Sequence, residues 1–152
     1  MIKIKMQGHN THNNTHNNNN HYIVMFIIMI LSGLLSTMNV YVDKFSDISF
    51  SLNDIYMILL MNGWMFIFMS IYNKNLKFFI LGLILVIFNL FAIRTQFMIT
   101  KTQYIRGMIP HHSMAITMSK KLLEKDTTIS NFLENIINTQ SKEIEFMKNE
   151  IN

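Results

Sequence analysis

Residues 108–119 read MIPHHSMAITMS and place two adjacent histidines, His111 and His112, behind a proline and among Met108, Met114 and Met118. Imidazole nitrogen serves both oxidation states of copper and thioether sulfur favours the reduced one, so the stretch holds the donor types of a copper site. Further along, Gln140 and Glu143 interrupt an apolar stripe formed by Leu133, Ile136, Ile144 and Met147. A glutamate is seldom buried without a partner. If the two stretches are facing helices, Glu143 and Met147 come towards His111, His112 and Met108 or Met118, according to register. The same residues also have a plain reading. Methionine is a common filler of core gaps, and an inward histidine commonly serves as a hydrogen-bonded structural group. Residue types alone leave both readings open.

The spacing says which elements must hold these groups. Tyr104, Met108, His111, Ala115, Met118 and Leu122 recur in alternating steps of four and three, the period of a buried helical seam. This reading turns His111 into the bundle, sets His112 one position round, and points Met114 away. Pro110 lacks a backbone N–H and is expected to start a new helical segment or to kink the existing one. Two helices, roughly 103–125 and 129–151, follow from the pattern, with Asp126, Thr127 or Thr128 available to cap the second. One such hairpin buries too little apolar surface to stand alone, so it is expected to pack on a second copy as a homo-oligomer.

The rest of the chain is of a different kind. Of its 152 residues 50% are hydrophobic and only 14% charged, and the mean hydropathy is +0.24. Apolar residues concentrate in three runs, at about 22–42, 55–72 and 76–93, each long enough to span a lipid bilayer. Tyrosines stand at the ends of the second run, as in interfacial belts. Lys77 can snorkel from the start of the third, and Arg94 marks its exit. Only Asn73, Lys74 and Asn75 separate the second and third runs, which predicts a tight antiparallel pair. The expected fold is therefore all-α, with three transmembrane helices followed by a two-helix hairpin. The expected domains are a disordered His/Asn-rich tail (1–21), a three-span membrane region (22–94) and a hairpin domain carrying the His-His motif (95–152). Lysines before the first span and at the second turn place the N-terminus in the cytoplasm, and three crossings then put the hairpin outside it.

Several function classes are disfavoured. The chain has no cysteine, which removes disulfides, thiolate zinc sites and cysteine nucleophiles. No histidine has a glutamate three positions before it, as di-iron bundles require, and no phosphate loop or serine-nucleophile motif is present. Catalysis is not expected. The net charge of +4 is scattered and does not favour nucleic acid. Met57, Met61, Met65 and Met69 form a row on the second span that reads either as a ladder of soft ligands or as ordinary apolar packing. His9, His12, His16 and His21 could chelate a metal weakly, or belong to a low-complexity tail.

The motif Met108, Pro110, His111, His112, followed by Gln140, Glu143, Ile144 and Met147, resembles the signature of the domain-of-unknown-function 305 family. The Arg94-Thr95-Gln96 exit from the last span is similar to that of its membrane-bound members. The resemblance implies a ferritin-like bundle domain, and some soluble relatives outside the cytoplasm bind copper or silver and are associated with copper tolerance. The chain departs from the pattern at Thr100, Lys101 and Thr102, where acidic residues are usual. The expectation is an integral membrane protein whose hairpin binds a copper ion for storage, buffering or tolerance. Its metal ligands would come from His111, His112, Met108, Met118, Met147 and Glu143. The alternative is a structural or self-association module in which the histidine pair fixes helix packing and no metal is bound.

Overall fold

A computed structural model describes residues 11–151, and every regular element among them is helical. The helices are α1 (Thr11–Leu35), α2 (Leu52–Asn73), α3 (Leu76–Thr95), α4 (Lys101–Leu123) and α5 (Ser130–Asn149); two short 3-10 turns, Met38–Tyr41 and Phe45–Asp47, lie between α1 and α2. Three segments, Asn19–Tyr41, Leu52–Asn73 and Leu76–Thr95, are long and apolar enough to cross a membrane. At 1.5 Å per residue each reaches about 30 Å, the thickness of the hydrocarbon layer. One expectation is corrected here. Residues 11–21 are not a structureless tail but the first turns of α1, because a helix nucleated in an apolar run extends at little cost into the polar residues beside it. Residues 1–10, with His9, lie outside the described part.

The α2–α3 pair is tight because glycine permits it. A Cβ on Gly82 would sit 2.8 Å from the Gly63 carbonyl oxygen, and one on Gly63 would meet Val86 at 2.9 Å. Between helices in lipid, where apolar burial adds little, such close backbone approach is a main source of attraction. The turn closes with Lys74 in the left-handed region (φ 52°) and the Asn75 amide donating back to the Ser70 carbonyl, a cap of Schellman type. Tyr22 of α1 is fully buried against this turn. Its ring stacks on Phe78 with centroids 4.0 Å apart, and its hydroxyl accepts from Asn73 Nδ2. Asn62 and Asn89 are fully buried within the spans, each donating to the carbonyl four residues earlier and leaving its Oδ1 unpartnered among the described residues.

The hairpin of α4 and α5 is tied to the opposite end of the span bundle. The Leu52 amide donates to Gln103 Oε1 at 2.8 Å, and Tyr56 Oη donates to the Phe97 carbonyl at 2.9 Å. Gly107 of α4 lies against Ser51, with room for a Cβ only at 3.0 Å from its hydroxyl. Ser51 also binds Asp54 Oδ2 through both its amide and its hydroxyl, fixing the first turn of α2. The start of α2 is thus the seat on which α4 rests.

Candidate functional site

Helix α4 begins at Thr100, whose hydroxyl accepts from the Gln103 amide, and runs unbroken to Leu123 with Pro110 inside it. Pro110 therefore does not start a new segment. Helix α5 is preceded by Ile129 with no side-chain cap. Asp126 instead accepts from the Thr128 amide at 2.8 Å and shapes the turn between the helices. The expected side-chain cap of α5 is corrected accordingly.

The inward face of α4 is also corrected, by one residue. The buried positions are Ile105, Ile109, His112 and Ile116, while Tyr104, Met118 and Leu122 are 53%, 58% and 41% exposed. Both stripes obey the same four-three spacing. The one with three isoleucines wins because it removes more apolar surface from water when pressed on Ile144 and Met147 of α5. The consequence falls on the histidine pair. His111 is exposed and His112 is buried, the reverse of the expectation, since neighbours on a helix point about 100° apart.

His112 is held at both ring nitrogens. Nδ1 lies 2.8 Å from the Met108 carbonyl, one turn back on the same helix, and Nε2 lies 2.8 Å from Glu143 Oε2 on α5. The carbonyl can only accept, so Nδ1 carries a proton, and Nε2 is the nitrogen left to face Glu143. The His112 side chain is 11% exposed and that of Glu143 49%, so the pair stands at the rim of the interhelical seam. The His111 ring lies beside it, with centroids 5.9 Å apart. One turn from Glu143, the buried Oε1 of Gln140 has no hydrogen-bond partner among the described residues.

Of the six expected ligands, the fold brings together His112 and Glu143, with His111 and Met108 adjoining. Met108 packs on the apolar core of the hairpin, and Met147 is one of that core's buried members. Met118 is exposed six residues beyond His112, about 9 Å along the axis. Among the described residues no three His, Asp or Glu side chains converge as a metal cluster.

A second polar cluster lies on the other side of α4 and was not foreseen. Asp47 is only 3% exposed, yet it accepts from Ser113 Oγ at 2.6 Å and from Lys148 Nζ at 2.6 Å. The Ser113 hydroxyl in turn accepts from the Asp43 amide at 2.8 Å, and Lys120 pairs with the Asp43 carboxylate at 2.8 Å. Burial pushes the Asp47 carboxyl up, but hydrogen bonds from Lys148 and Ser113, the Lys148 charge and Ser46 together outweigh it and hold it below the ordinary carboxylate range. These bonds fasten the α1–α2 loop to both hairpin helices. In the sequence Asp43 and Asp47 are only charges in the loop between the first two apolar runs. No local signal pairs them with residues 66 to 101 positions away.

Comparison with known proteins agrees with the motif. The family model described as Domain of unknown function (DUF305) matches residues 94–151, which span α4 and α5. The chain is similar to the uncharacterized protein L153 of Acanthamoeba polyphaga mimivirus, at 44% identity over 124 residues, covering 77% of this chain and 82% of the relative. The chain belongs to the DUF305 family. No solved structure matches it significantly.

Proposed function

We propose that the protein is a membrane-embedded binder of copper, or of a similar soft metal, serving storage, buffering or tolerance, with the hairpin on the extracytoplasmic side. The observation that supports this best is the pose of His112. Its Nδ1–H donates to the Met108 backbone carbonyl, the bond by which proteins fix a metal-binding imidazole, and Nε2 is left at the rim beside the Glu143 carboxylate. The unpartnered Gln140 oxygen one turn away gives a further polar group with no internal role. His112 and Glu143 would hold the metal, with Met108 supplying a thioether and His111 a second imidazole. Met147 would act through packing. The role is one of binding, and no catalytic step is assigned.

The test uses the full chain in detergent, titrated with Cu(I) against a competing chelator. His112→Ala is expected to weaken binding by more than tenfold and Glu143→Gln by about tenfold. Unchanged affinity in His112→Ala would overturn the reading. A second reading has its own support: the 2.8 Å separation of Nε2 and Oε2 is that of a direct hydrogen bond, so the pair can lock α4 to α5 without metal. That reading predicts no bound metal by elemental analysis, and a loss of helix packing rather than of metal when His112 is replaced.

A further inference from the structure

The hairpin has two sides, and only one is covered. Loop residues from 38 to 47 lie against the side that presents Ser113, Lys120 and Lys148. The opposite side presents Tyr104, His111, Met118 and Leu122 of α4, and Phe132 and Phe146 of α5. The five apolar members of this set are between 41% and 65% exposed. Within α4 the four are spaced by seven, seven and four, in keeping with the seam period. In α5 Phe132 and Phe146 are two heptads apart, with Ile136, Thr139 and Glu143 between them on the same face. The middle of this face has His111, His112 and Glu143 as its ionisable groups. An ion pair between Lys101 and Glu150 closes one end.

We propose that a second copy of this chain packs on the open face, so that four helices close a bundle around the two His112–Glu143 pairs. Each copy then contributes His111 to the polar centre of the assembly. Three features favour a like copy as the occupant. A seam-spaced apolar stripe is complementary to another such stripe, and a two-fold axis brings the same patch of both copies together. The polar centre is self-complementary as well, because a two-fold axis through it sets a basic imidazole of one copy near the carboxylate of the other. The area is of the right order. An aromatic side chain can bury roughly 150–250 Å², so five half-exposed large side chains offer about 500 Å² of the roughly 800 Å² per partner that a stable interface needs, before flanking residues are counted. The contribution of His111 to a metal rests on the function proposed above; the packing itself does not.

The chain has no cysteine, so single cysteines report the interface cleanly. Full-length Tyr104→Cys, Met118→Cys, Leu122→Cys and Phe132→Cys variants are oxidised in membranes containing a chelator, with Glu145→Cys, which lines the loop side, as the control. Disulfide dimers at one or more open-face positions and none at 145 are the expected result. Monomers at every open-face position, or equal crosslinking at 145, overturn the proposal. Light scattering of Phe146→Glu in detergent, with helicity checked by circular dichroism, gives a second readout: a helical monomer is expected, and an unchanged dimer overturns it. Copper binding by a strictly monomeric protein would overturn this packing and leave the metal reading standing. A dimer that binds no metal would sustain the packing and end the metal reading.

Discussion

The two sides of the hairpin use similar residues to opposite ends. On the loop side a carboxylate and a hydroxyl are almost fully removed from water beneath a partly exposed ammonium, and every one has a partner: Asp47 with Ser113 and Lys148, Ser113 also with the Asp43 amide. On the open side a carboxylate and an imidazole meet at the rim, with Glu143 half-exposed and a second histidine beside them facing outward. Satisfaction without access makes the first cluster a fastener. Access, through half-exposed Glu143 and outward-facing His111, makes the second a candidate site. Ser113 and His112 are sequence neighbours, so a single helix turn serves both roles.

The largest test of this contrast is its removal on the loop side. Asp47→Ala leaves Lys148 and Ser113 without their buried acceptor and should cost about 3 kcal/mol. Thermal unfolding of the full chain in detergent measures it, and protease cleavage within residues 36–51 should rise in parallel. Glu143→Gln, at the exposed rim, should cost under about 1 kcal/mol in the same assay. A larger loss at Glu143 than at Asp47 would break the distinction.

Next in size is a difference in metal affinity along one helix. Met108→Leu should weaken Cu(I) binding about tenfold, as loss of a weak ligand or supporting group does. Met118→Leu should change it less than about twofold, because a ligand roughly 9 Å along the axis cannot share the metal of His112. Equal effects would place the site elsewhere on α4.

Acid should separate the two sides further. The Asp47 carboxyl titrates below its unfolded value, so its contribution to stability is complete above about pH 4 and is lost as pH falls through the folded value. The protection of amides in residues 43–47, taken relative to intrinsic exchange at each pH, should hold down to about pH 4 and fall below it, and Asp47→Asn should flatten that profile. The smallest effect is expected at a position on neither side. Gln96 ends α3 in the left-handed region with φ 52°; Gln96→Gly relieves about 1 kcal/mol of backbone strain but gives up the side-chain bonds to Asn53 and the Ile93 carbonyl, so thermal unfolding should shift by less than about 0.5 kcal/mol.

Much of this architecture was legible in the residues. Three apolar runs and a mixed-charge hairpin follow from composition and period, and the structure has helices at all of them. The start of α1 was not legible, because an Asn/His tract shows no period of its own and takes its helicity from the run that follows. The face of α4 was misread by one position for a definite reason. Two adjacent stripes share one spacing, and only the greater apolarity of Ile105, Ile109 and Ile116 decides between them. Glu143 interrupts the apolar stripe of α5 in the sequence, and the fold leaves it half-exposed at the rim, beside His112. Asp47 was missed because its partners are brought to it by tertiary packing alone. Asn62 and Asn89 could have been noticed as polar residues inside apolar runs, although their back-bonding to the preceding turn is visible only in the fold.

The bond between Asp47 and Lys148 also bears on how the chain is made. The two residues are 101 positions apart, so the loop carrying Asp47 is synthesised, and its flanking helices can enter the bilayer, well before the cation exists. Until the last turn of α5 emerges, Asp47 and the Ser46 hydroxyl lack their ammonium partner, and the carboxylate cannot be buried without a cost of several kcal/mol. A chain cut back before Lys148 is expected to be cleaved faster within residues 36–51 by added protease. The latch therefore closes only once α5 has been made, and it acts on a loop synthesised about a hundred residues earlier.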